Sequence, residues 1–254
     1  AGIERVWADV TGAGVAVGDL NGDGNEDLIL GGGRGGRLEL HAGDGKGGFR
    51  RVRLGPLETV ATDDLTGIVC WGLEEGRSVL MVGRAAYESE GHGPAVEGFE
   101  IGFGEVRPTD AIPGNGVSTG PLAAADVDGD GDVDLFVGGR MRSGRYPESV
   151  GSRLYRNEGG SWVEDVAAGK TLAGAGMVSG AVWTDLDGDG FAELVLAVEL
   201  GPVRVYRNRG GQLEERTEAL GLSAFKGSWN SVAAGDVDGD GRMDLVVGNI
   251  GRNT

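Results

Sequence analysis

The stretch Asp236-Val237-Asp238-Gly239-Asp240-Gly241-Arg242-Met243-Asp244 places carboxylates at its first, third, fifth and ninth positions and glycine at its sixth. Oxygen ligands at alternate positions can face one point only if the chain curls tightly, and glycine supplies the backbone freedom for that curl. The same pattern occurs at residues 19–27, 126–134 and 185–193, with one asparagine and one glutamate as the only changes at the ligand positions. These matches predict a repeated cation-binding loop.

The predicted ligands are the four side chains at these positions and the backbone carbonyl of position seven, by analogy with position seven of an EF-hand loop. They are Asp19, Asn21, Asp23, Asn25 and Asp27; Asp126, Asp128, Asp130, Asp132 and Asp134; Asp185, Asp187, Asp189, Phe191 and Glu193; and Asp236, Asp238, Asp240, Arg242 and Asp244. Many flexible oxygen ligands favour Ca²⁺ over Mg²⁺, and transition metals prefer His or Cys. We therefore predict about four Ca²⁺ ions per chain.

The alternative is a metal-free Asp-Gly hairpin turn, which is common in proteins. Two carboxylates about 4 Å apart repel each other by about 4 kcal/mol at an effective dielectric constant of about 20. Several such carboxylates would splay the turn unless a cation lay between them. A simple turn also gives no reason for the acid at position nine, so the metal-binding loop is favoured.

A further repeat is hidden between the first two loops. The loops begin at residues 19, 126, 185 and 236, so the first interval is about twice the others and predicts a repeat that begins near residue 71. Aligning its apolar run 79–83 with residues 244–248 places Trp71, Leu73, Glu75, Gly76 and Val79 in the loop positions. Because one acid survives there, this repeat is expected to keep its fold and to bind no metal.

Short segments recur in the same order around each loop, and four strands in roughly 50 residues are typical of one β-propeller blade. A strand of small and branched residues precedes the loop, a more hydrophobic strand follows it, and a third and a fourth strand come after turns. The clearest predicted strands are 15–18, 122–125, 181–184 and 232–235 before the loops; 28–30, 135–137, 194–196 and 245–247 after them; 153–157 and 203–208 as third strands; and 49–54 and 162–166 as fourth strands. The predicted fold class is all-β: a β-propeller of four-stranded blades with five repeats, the last one incomplete.

The repeats begin near residues 14, 66, 121, 180 and 231, and they form either a single propeller domain over residues 1–254 or a segment of a longer propeller. The fifth repeat lacks its third and fourth strands, whereas residues 3–10 read like a fourth strand. Unpaired strand edges are usually avoided in proteins. We therefore expect the chain to continue past Thr254 or to pair at its open ends.

Composition restricts the possible partners. A formal net charge of −17, from 40 acidic and 23 basic residues, disfavours nucleic acid and anionic membranes. The apolar runs are far shorter than the ~18 residues of a membrane span, so no membrane insertion is predicted. Cys70 is the single cysteine and lies in an apolar run, which excludes an intrachain disulfide and predicts a buried free thiol.

The loops and strands together resemble FG-GAP/VCBS repeats, the calcium-bearing blades of integrin-type propellers and of many secreted bacterial proteins. An EF-hand or dockerin-type loop needs an acid at position twelve, where this chain has Leu30, Val137, Leu196 and Val247. Four stretches are also similar to bacterial VCBS proteins that often carry an ASPIC/UnbV-type region: 137–147, 154–157, 229–231 and 248–254. The resemblance implies a Ca²⁺-stabilised propeller in an exported protein, at an extracellular, periplasmic or cell-surface location.

The sequence motifs assemble no catalytic group, so the favoured function is a calcium-stabilised interaction or scaffold module whose ligand is a protein or a glycan. Long hairpins at 84–93 and 140–150 are interpreted as recognition loops or, equally, as solvated loops. The alternative function is a carbohydrate-binding or carbohydrate-active propeller of the lyase type, with Tyr87, His92, Arg145 and Tyr146 as candidate residues. Enzymatic activity is left open, with a non-enzymatic role favoured.

Overall fold

A computed structural model describes residues 14–251 apart from 87–88, 90–91, 115 and 143–144. The described residues fold into antiparallel β-sheets and divide into two compact units. The first unit runs to Thr119 and also includes Arg142–Tyr146, and the second comprises Gly120–Met141 and the residues from Pro147 onward.

The strands follow the repeat order predicted from the sequence. Those of the first unit are β1 (Val15–Gly18), β2 (Asp27–Leu30), β3 (Glu39–Gly43), β4 (Phe49–Val52), β5 (Leu65–Gly72), β6 (Ser78–Arg84), β7 (Pro94–Gly102), β8 (Glu105–Pro108) and β9 (Ile112–Pro113). Those of the second unit are, for most or all of their length, β10 (Val117–Ala125), β11 (Asp134–Arg142), β12 (Arg153–Glu158), β13 (Ser161–Glu164), β14 (Met177–Thr184), β15 (Glu193–Pro202), β16 (Arg204–Arg209), β17 (Gln212–Glu215), β18 (Lys226–Gly235) and β19 (Asp244–Asn249), with one helix, α1 (Val166–Leu172), between β13 and β14.

Two sheets make up the first unit. Strands β1 to β4 form a four-stranded sheet in sequence order, and β5 to β8 form a second sheet in which β9 also pairs with β7. Side chains of β2 alternate between buried and half-buried positions, as expected for a strand with one face on the core. Buried residues of both sheets, among them Ile29, Leu40, Leu80 and Phe99, belong to one cluster, so the sheets share a core.

The second unit repeats the four-stranded order twice, in β10–β13 and in β14–β17. The C-terminal end of β15 also pairs with β18, with an irregularity between Glu199 and Gly201, and β18 pairs with β19. Phe136, Leu154 and Tyr206 are fully buried in the cluster that these sheets share with α1. The two full repeats are therefore held together by one apolar core.

Most strands predicted beside the loops are confirmed, and many are longer than predicted. The fourth strand of the first repeat ends at Val52, two residues earlier than predicted, and that of the third repeat ends at Glu164. The prediction of a strand through Val166 was wrong because Asp165 caps helix α1: its carboxylate accepts two backbone hydrogen bonds from the first turn. Helix α1 was not predicted from the sequence.

Three further predictions concern the fifth repeat, the burial of Cys70 and membrane insertion. The fifth repeat shows β18 and β19 within the described part of the chain, while the predicted strand at residues 3–10 lies outside it. Cys70 is half-buried rather than buried, with Sγ 3.8 Å from the carbonyl oxygen of Val17. No helix among the described residues has the length and apolar character that a bilayer crossing requires. Closure of the repeats into a ring and their total number stay predictions.

Candidate metal centres

Each acidic loop joins the first and second strands of its repeat. In the first, fourth and fifth repeats the last paired residues enclose eight loop residues, as between Gly18 and Asp27 or between Thr184 and Glu193. Glycines at positions four and six have positive φ angles in all four loops, for example 79° at Gly239 and 84° at Gly241. Side-chain-bearing residues rarely adopt this conformation, so the curl needs both glycines. From the sequence, glycine was predicted to be required at the sixth position only.

The acid at position one organises the backbone of the loop. Asp236 Oδ1 accepts a hydrogen bond from Gly239 N–H at 2.7 Å, and its Oδ2 accepts one from Gly241 N–H at 2.9 Å. The same pair of bonds forms at Asp19, Asp126 and Asp185. Oδ1 of Asp19 and of Asp236 also accepts a bond from the N–H of position five, whereas Oδ2 keeps a second acceptor site that could serve a cation.

Side chains at positions three and five also accept backbone hydrogen bonds, and they are exposed. At position three, Asn21 and Asp238 each accept a bond from the N–H of position five. The side chain at position five accepts a hydrogen bond from the N–H of position seven, as Asp23 does from Asn25 at 2.9 Å and Asp189 from Phe191 at 3.0 Å. This backbone hydrogen bond is the main reason why the pKa values of Asp23 and Asp189 lie below the usual range. Both carboxylates are therefore held ionised. The ligand role of the position-seven carbonyls stays a prediction.

In the first, third and fourth repeats the acid at position nine is buried and joins the loop to the third strand, whereas Asp244 of the fifth repeat is half-buried. Asp27, Asp134 and Glu193 are 0%, 2% and 3% exposed. One oxygen of each accepts a bond from the N–H of position two, and the other accepts a bond from the third strand. Burial raises the pKa of all three carboxyls, against the lowering effect of these hydrogen bonds. Position nine thus has a structural function besides its predicted ligand role.

The loops bring carboxylates together as cation ligands require. Three groups of acids each place one oxygen per residue within 4.8 Å of the others: Asp126, Asp128 and Asp130; Asp185, Asp187 and Glu193; and Asp236, Asp238 and Asp244. The first loop has an amide at position three, and no three-acid group forms there among the described residues. All of these donors are oxygens, so the sites fit a hard cation such as Ca²⁺.

Two arginines that the sequence analysis missed approach these acids. Arg156 Nη1 lies 2.8 Å from Asp134 Oδ2 and 3.5 Å from Asp128 Oδ2. Arg207 Nη2 lies 2.7 Å from Asp187 Oδ2 and 3.2 Å from Asp189 Oδ2. Both arginines occupy the same place on a third strand, within the repeated Tyr-Arg-Asn sequence at 155–157 and 206–208 that could have revealed them.

The first repeat has no arginine at the corresponding position of its third strand. Gly43 donates its N–H to Asp27 as Asn157 does to Asp134, so Ala42 occupies the place of the arginine. The acidic loops of the third and fourth repeats therefore have an arginine beside their acids, whereas the first repeat has an alanine at the corresponding position.

The hairpin of the second repeat differs from the predicted alignment. Trp71 pairs with Val79 and Gly72 with Ser78, so five residues lie outside the ladder, and Glu75 has a positive φ of 61°. The predicted first and ninth loop positions are therefore paired strand residues. The turn packs against the first loop, where the Ser78 hydroxyl donates a hydrogen bond to the Asp19 carbonyl at 3.1 Å.

The structure describes three of the four residues proposed for carbohydrate chemistry: His92, Arg145 and Tyr146. Tyr87 lies outside the described residues, and His92 is exposed beside a small cavity that Asp63 and Arg84 also line. Arg145 and Tyr146 lie in the segment after β11, where the Arg145 N–H donates to the Arg142 carbonyl at 3.1 Å. Their joint catalytic role stays a hypothesis.

Comparison with known proteins identifies the type of repeat. Residues 126–196 and 185–247 match the model of the FG-GAP-like repeat. The third, fourth and fifth repeats are thus FG-GAP-like, as the sequence resemblance predicted. The VCBS and ASPIC/UnbV-type resemblance stays a prediction.

Curated relatives and solved structures agree with this class. The chain is 32% identical over 143 residues to integrin alpha-7 of Rattus norvegicus and 31% identical to that of Mus musculus, and these matches cover 51% of the chain but only 12% of each integrin. A lectin of Agrocybe aegerita, described as recognising non-reducing terminal N-acetylglucosamine, matches with a TM-score of 0.58 and 17% identity, over 93% of this chain and 60% of the lectin. The BBS1N structure in complex with ARL6DN matches with a TM-score of 0.52 and 13% identity, over 92% and 58% of the two chains. At these identities the structural likeness shows the fold alone, which is all-β and propeller-like.

Proposed function

We propose that this chain is a calcium-stabilised, non-catalytic interaction module of β-propeller type in an exported protein. The observation that supports this most strongly is the convergence of three carboxylates in each of three loops, with ligand oxygens within 4.8 Å of one another. Residues at positions one, three, five and nine would hold the ion. Bound Ca²⁺ would supply charge neutralisation and rigidity.

Electrostatics explains why the ion would stabilise the fold. Each loop concentrates carboxylates on one short hairpin, and a pair about 4 Å apart repels by about 4 kcal/mol at an effective dielectric constant of about 20. Hydrogen bonds from loop N–H groups offset part of this repulsion, and Arg156 and Arg207 offset more in two loops. A divalent cation would remove the remainder.

The similarity to integrin alpha-7 supports an extracellular location, where calcium would be present to fill such loops. Periplasmic and cell-surface locations are part of the same proposal. A protein or glycan ligand is proposed because rigid repeat scaffolds commonly present binding surfaces. The acidic net charge of −17 argues against nucleic acid.

Thermal unfolding with and without calcium tests the proposal. One site held at 100 times its Kd adds about 2.7 kcal/mol, or roughly 5–10 °C for a chain of this size. The melting temperature is expected to fall by at least this much in EGTA and to recover with Ca²⁺, whereas Mg²⁺ at the same concentration should restore less. A melting temperature that is indifferent to chelation would refute the proposal.

Carbohydrate binding is a second candidate function. The lectin match shows only that a fold of this kind can carry a sugar site. The feature of this chain that favours the candidate is a polar cleft in the second unit. The carbohydrate-active, lyase-type version stays a hypothesis for Tyr87, His92, Arg145 and Tyr146.

A further inference from the structure

A cleft of about 790 Å³ lies at one end of the β14–β17 sheet. Thr184 and Glu193 close the sheet at the acidic loop. The cleft is lined instead by residues at the opposite strand ends: Met177 at the start of β14, Pro202 at the end of β15, Arg204 at the start of β16 and Glu215 at the end of β17. Within this sheet, the acidic loop and the cleft therefore occupy opposite ends.

One wall of the cleft is a connected polar network. Arg204 Nη1 donates to Glu215 Oε1 at 2.5 Å, and the Thr217 hydroxyl donates to the same oxygen at 3.0 Å. Thr217 is itself fixed, because its hydroxyl oxygen accepts a hydrogen bond from the Val205 N–H at 3.2 Å. A guanidinium has five N–H donors and a carboxylate about four acceptor sites, so this pair can still donate to and accept from a ligand.

Another part of the cleft lining contains a buried ion pair. Glu199 lines the cleft and accepts a hydrogen bond from Arg140 Nη2 at 2.9 Å, with side chains only 5% and 11% exposed. Leu200 follows with φ of 60° and a side chain that is 63% exposed at the cleft. Non-glycine residues in this backbone conformation cluster at binding sites, where surrounding structure holds them.

The charges that line the cleft nearly cancel. Arg204 and Lys226 are positive, whereas Glu199, Glu215 and Glu218 are negative, and Arg140 behind Glu199 makes the balance even. Such a lining does not select a cation or an anion. It offers donors and acceptors side by side, next to apolar surface from side chains such as Met177.

We propose that this cleft binds a short neutral saccharide. Sugar hydroxyls both donate and accept hydrogen bonds, which matches the paired guanidinium and carboxylate groups, and the C–H faces of a sugar match the apolar surface between them. The cleft volume lies within the usual range of small-ligand sites. The proposal deepens the proposed interaction role by naming a ligand class, and it does not depend on bound calcium.

Calorimetric titration of the full chain in millimolar Ca²⁺ tests the site. The probes are glucose, galactose, mannose, lactose and cellobiose, with glucuronic acid and a basic peptide as charged comparators. At least one neutral saccharide is expected to bind with a stoichiometry of one per chain. Glu215→Gln should weaken that saccharide at least about tenfold, because it loses a charge-assisted acceptor.

Two further variants keep the test sharp. Ser223→Trp changes an exposed cleft residue, leaves the buried network intact and is expected to abolish binding by filling the cleft. Glu105→Gln is the matched control, because Glu105 forms an exposed pair with Arg107 at 2.9 Å in the first unit. This control should bind as the unmodified chain does.

Three outcomes would overturn the proposal. They are failure of every neutral saccharide to bind, preferential binding of the charged comparators, and saccharide binding that both Glu215→Gln and Ser223→Trp leave unchanged. A calcium-dependent melting temperature alongside any of these results would show that the ligand assignment had failed while the calcium-stabilised module stood.

Discussion

The first and second repeats share a strand order and a core, yet the hairpins that join their first two strands differ. In the first repeat eight residues, with acids at positions one and five, lie between Gly18 and Asp27. In the second repeat five residues lie between Gly72 and Ser78, and the flanking strand residues include Trp71 and Val79. A blade of this fold can therefore close its hairpin without a long acidic loop. The longer loops need another explanation, and cation binding supplies one.

The largest expected effect concerns position nine, where the second repeat has Val79 and the third has Asp134. Asp134→Ala should destabilise the protein by about 2–4 kcal/mol, because it leaves the Val127 and Asn157 N–H groups without their acceptor. Arg156 loses one ion pair and keeps the one with Asp165. Urea unfolding measures this change. Asp132→Ala, at an exposed position of the same loop, should stay within about 0.5 kcal/mol. A loss below about 1 kcal/mol for Asp134→Ala would show that position nine is not a structural clamp.

The next effect uses the asparagine that the first loop carries at position three. Asp238→Asn gives the acidic loop of the fifth repeat the same ligand set as that of the first repeat, where Asn21 occupies position three. One negative ligand fewer should weaken Ca²⁺ at this loop by about tenfold, while chelated protein should melt at nearly the same temperature. Calcium titration by calorimetry follows the change. Equal affinity before and after substitution would contradict a ligand role for position three.

A smaller effect on calcium affinity is expected at the loops whose acids contact an arginine, which the first loop lacks. Arg207→Ala removes a cation that contacts Asp187 and Asp189, so Ca²⁺ should bind the fourth loop roughly two- to fivefold more tightly. Arg209→Ala is the control, because Arg209 pairs with Glu214 at 3.6 Å away from the loop. Weaker calcium binding by Arg207→Ala would mean that the arginine assists the ion rather than competes with it.

The smallest effect lies where the first two repeats meet. Burial, with a smaller contribution from Glu26 and Asp27, raises the pKa of the Cys70 thiol. Less thiolate is therefore present at pH 8, and iodoacetamide should react with Cys70 more slowly than with glutathione. Unfolding in urea should remove the difference. A folded-state rate equal to that of glutathione would show that this junction is open to solvent.

Local pattern was enough to predict the loops and their flanking strands, because the ligands, the glycines and strands such as Asp27–Leu30 all lie in one short stretch. The partners of position nine could not be predicted, since Gly43 and Asn157 reach it only through the register of a third strand. Helix α1 was missed although Asp165 was a recognisable cap, because the preceding residues alternated like a strand.

The second hairpin shows a different limit. Its strands aligned correctly by hydrophobic pattern, but the shorter turn shifts the pairing by one residue and places Trp71 in the ladder. Aligning two repeats matches residues by their position along the chain. It does not determine which residues pair across the hairpin. The cleft had no sequence signal, because its lining comes from the ends of several strands.

Calcium binding by the acidic loops is tested most directly by a crystal structure determined from crystals grown in millimolar Ca²⁺. We expect one Ca²⁺ ion in each of the four acidic loops, with oxygen ligands at about 2.3–2.6 Å, and none at the turn after Trp71. Acidic loops that hold only water under these conditions would contradict this prediction.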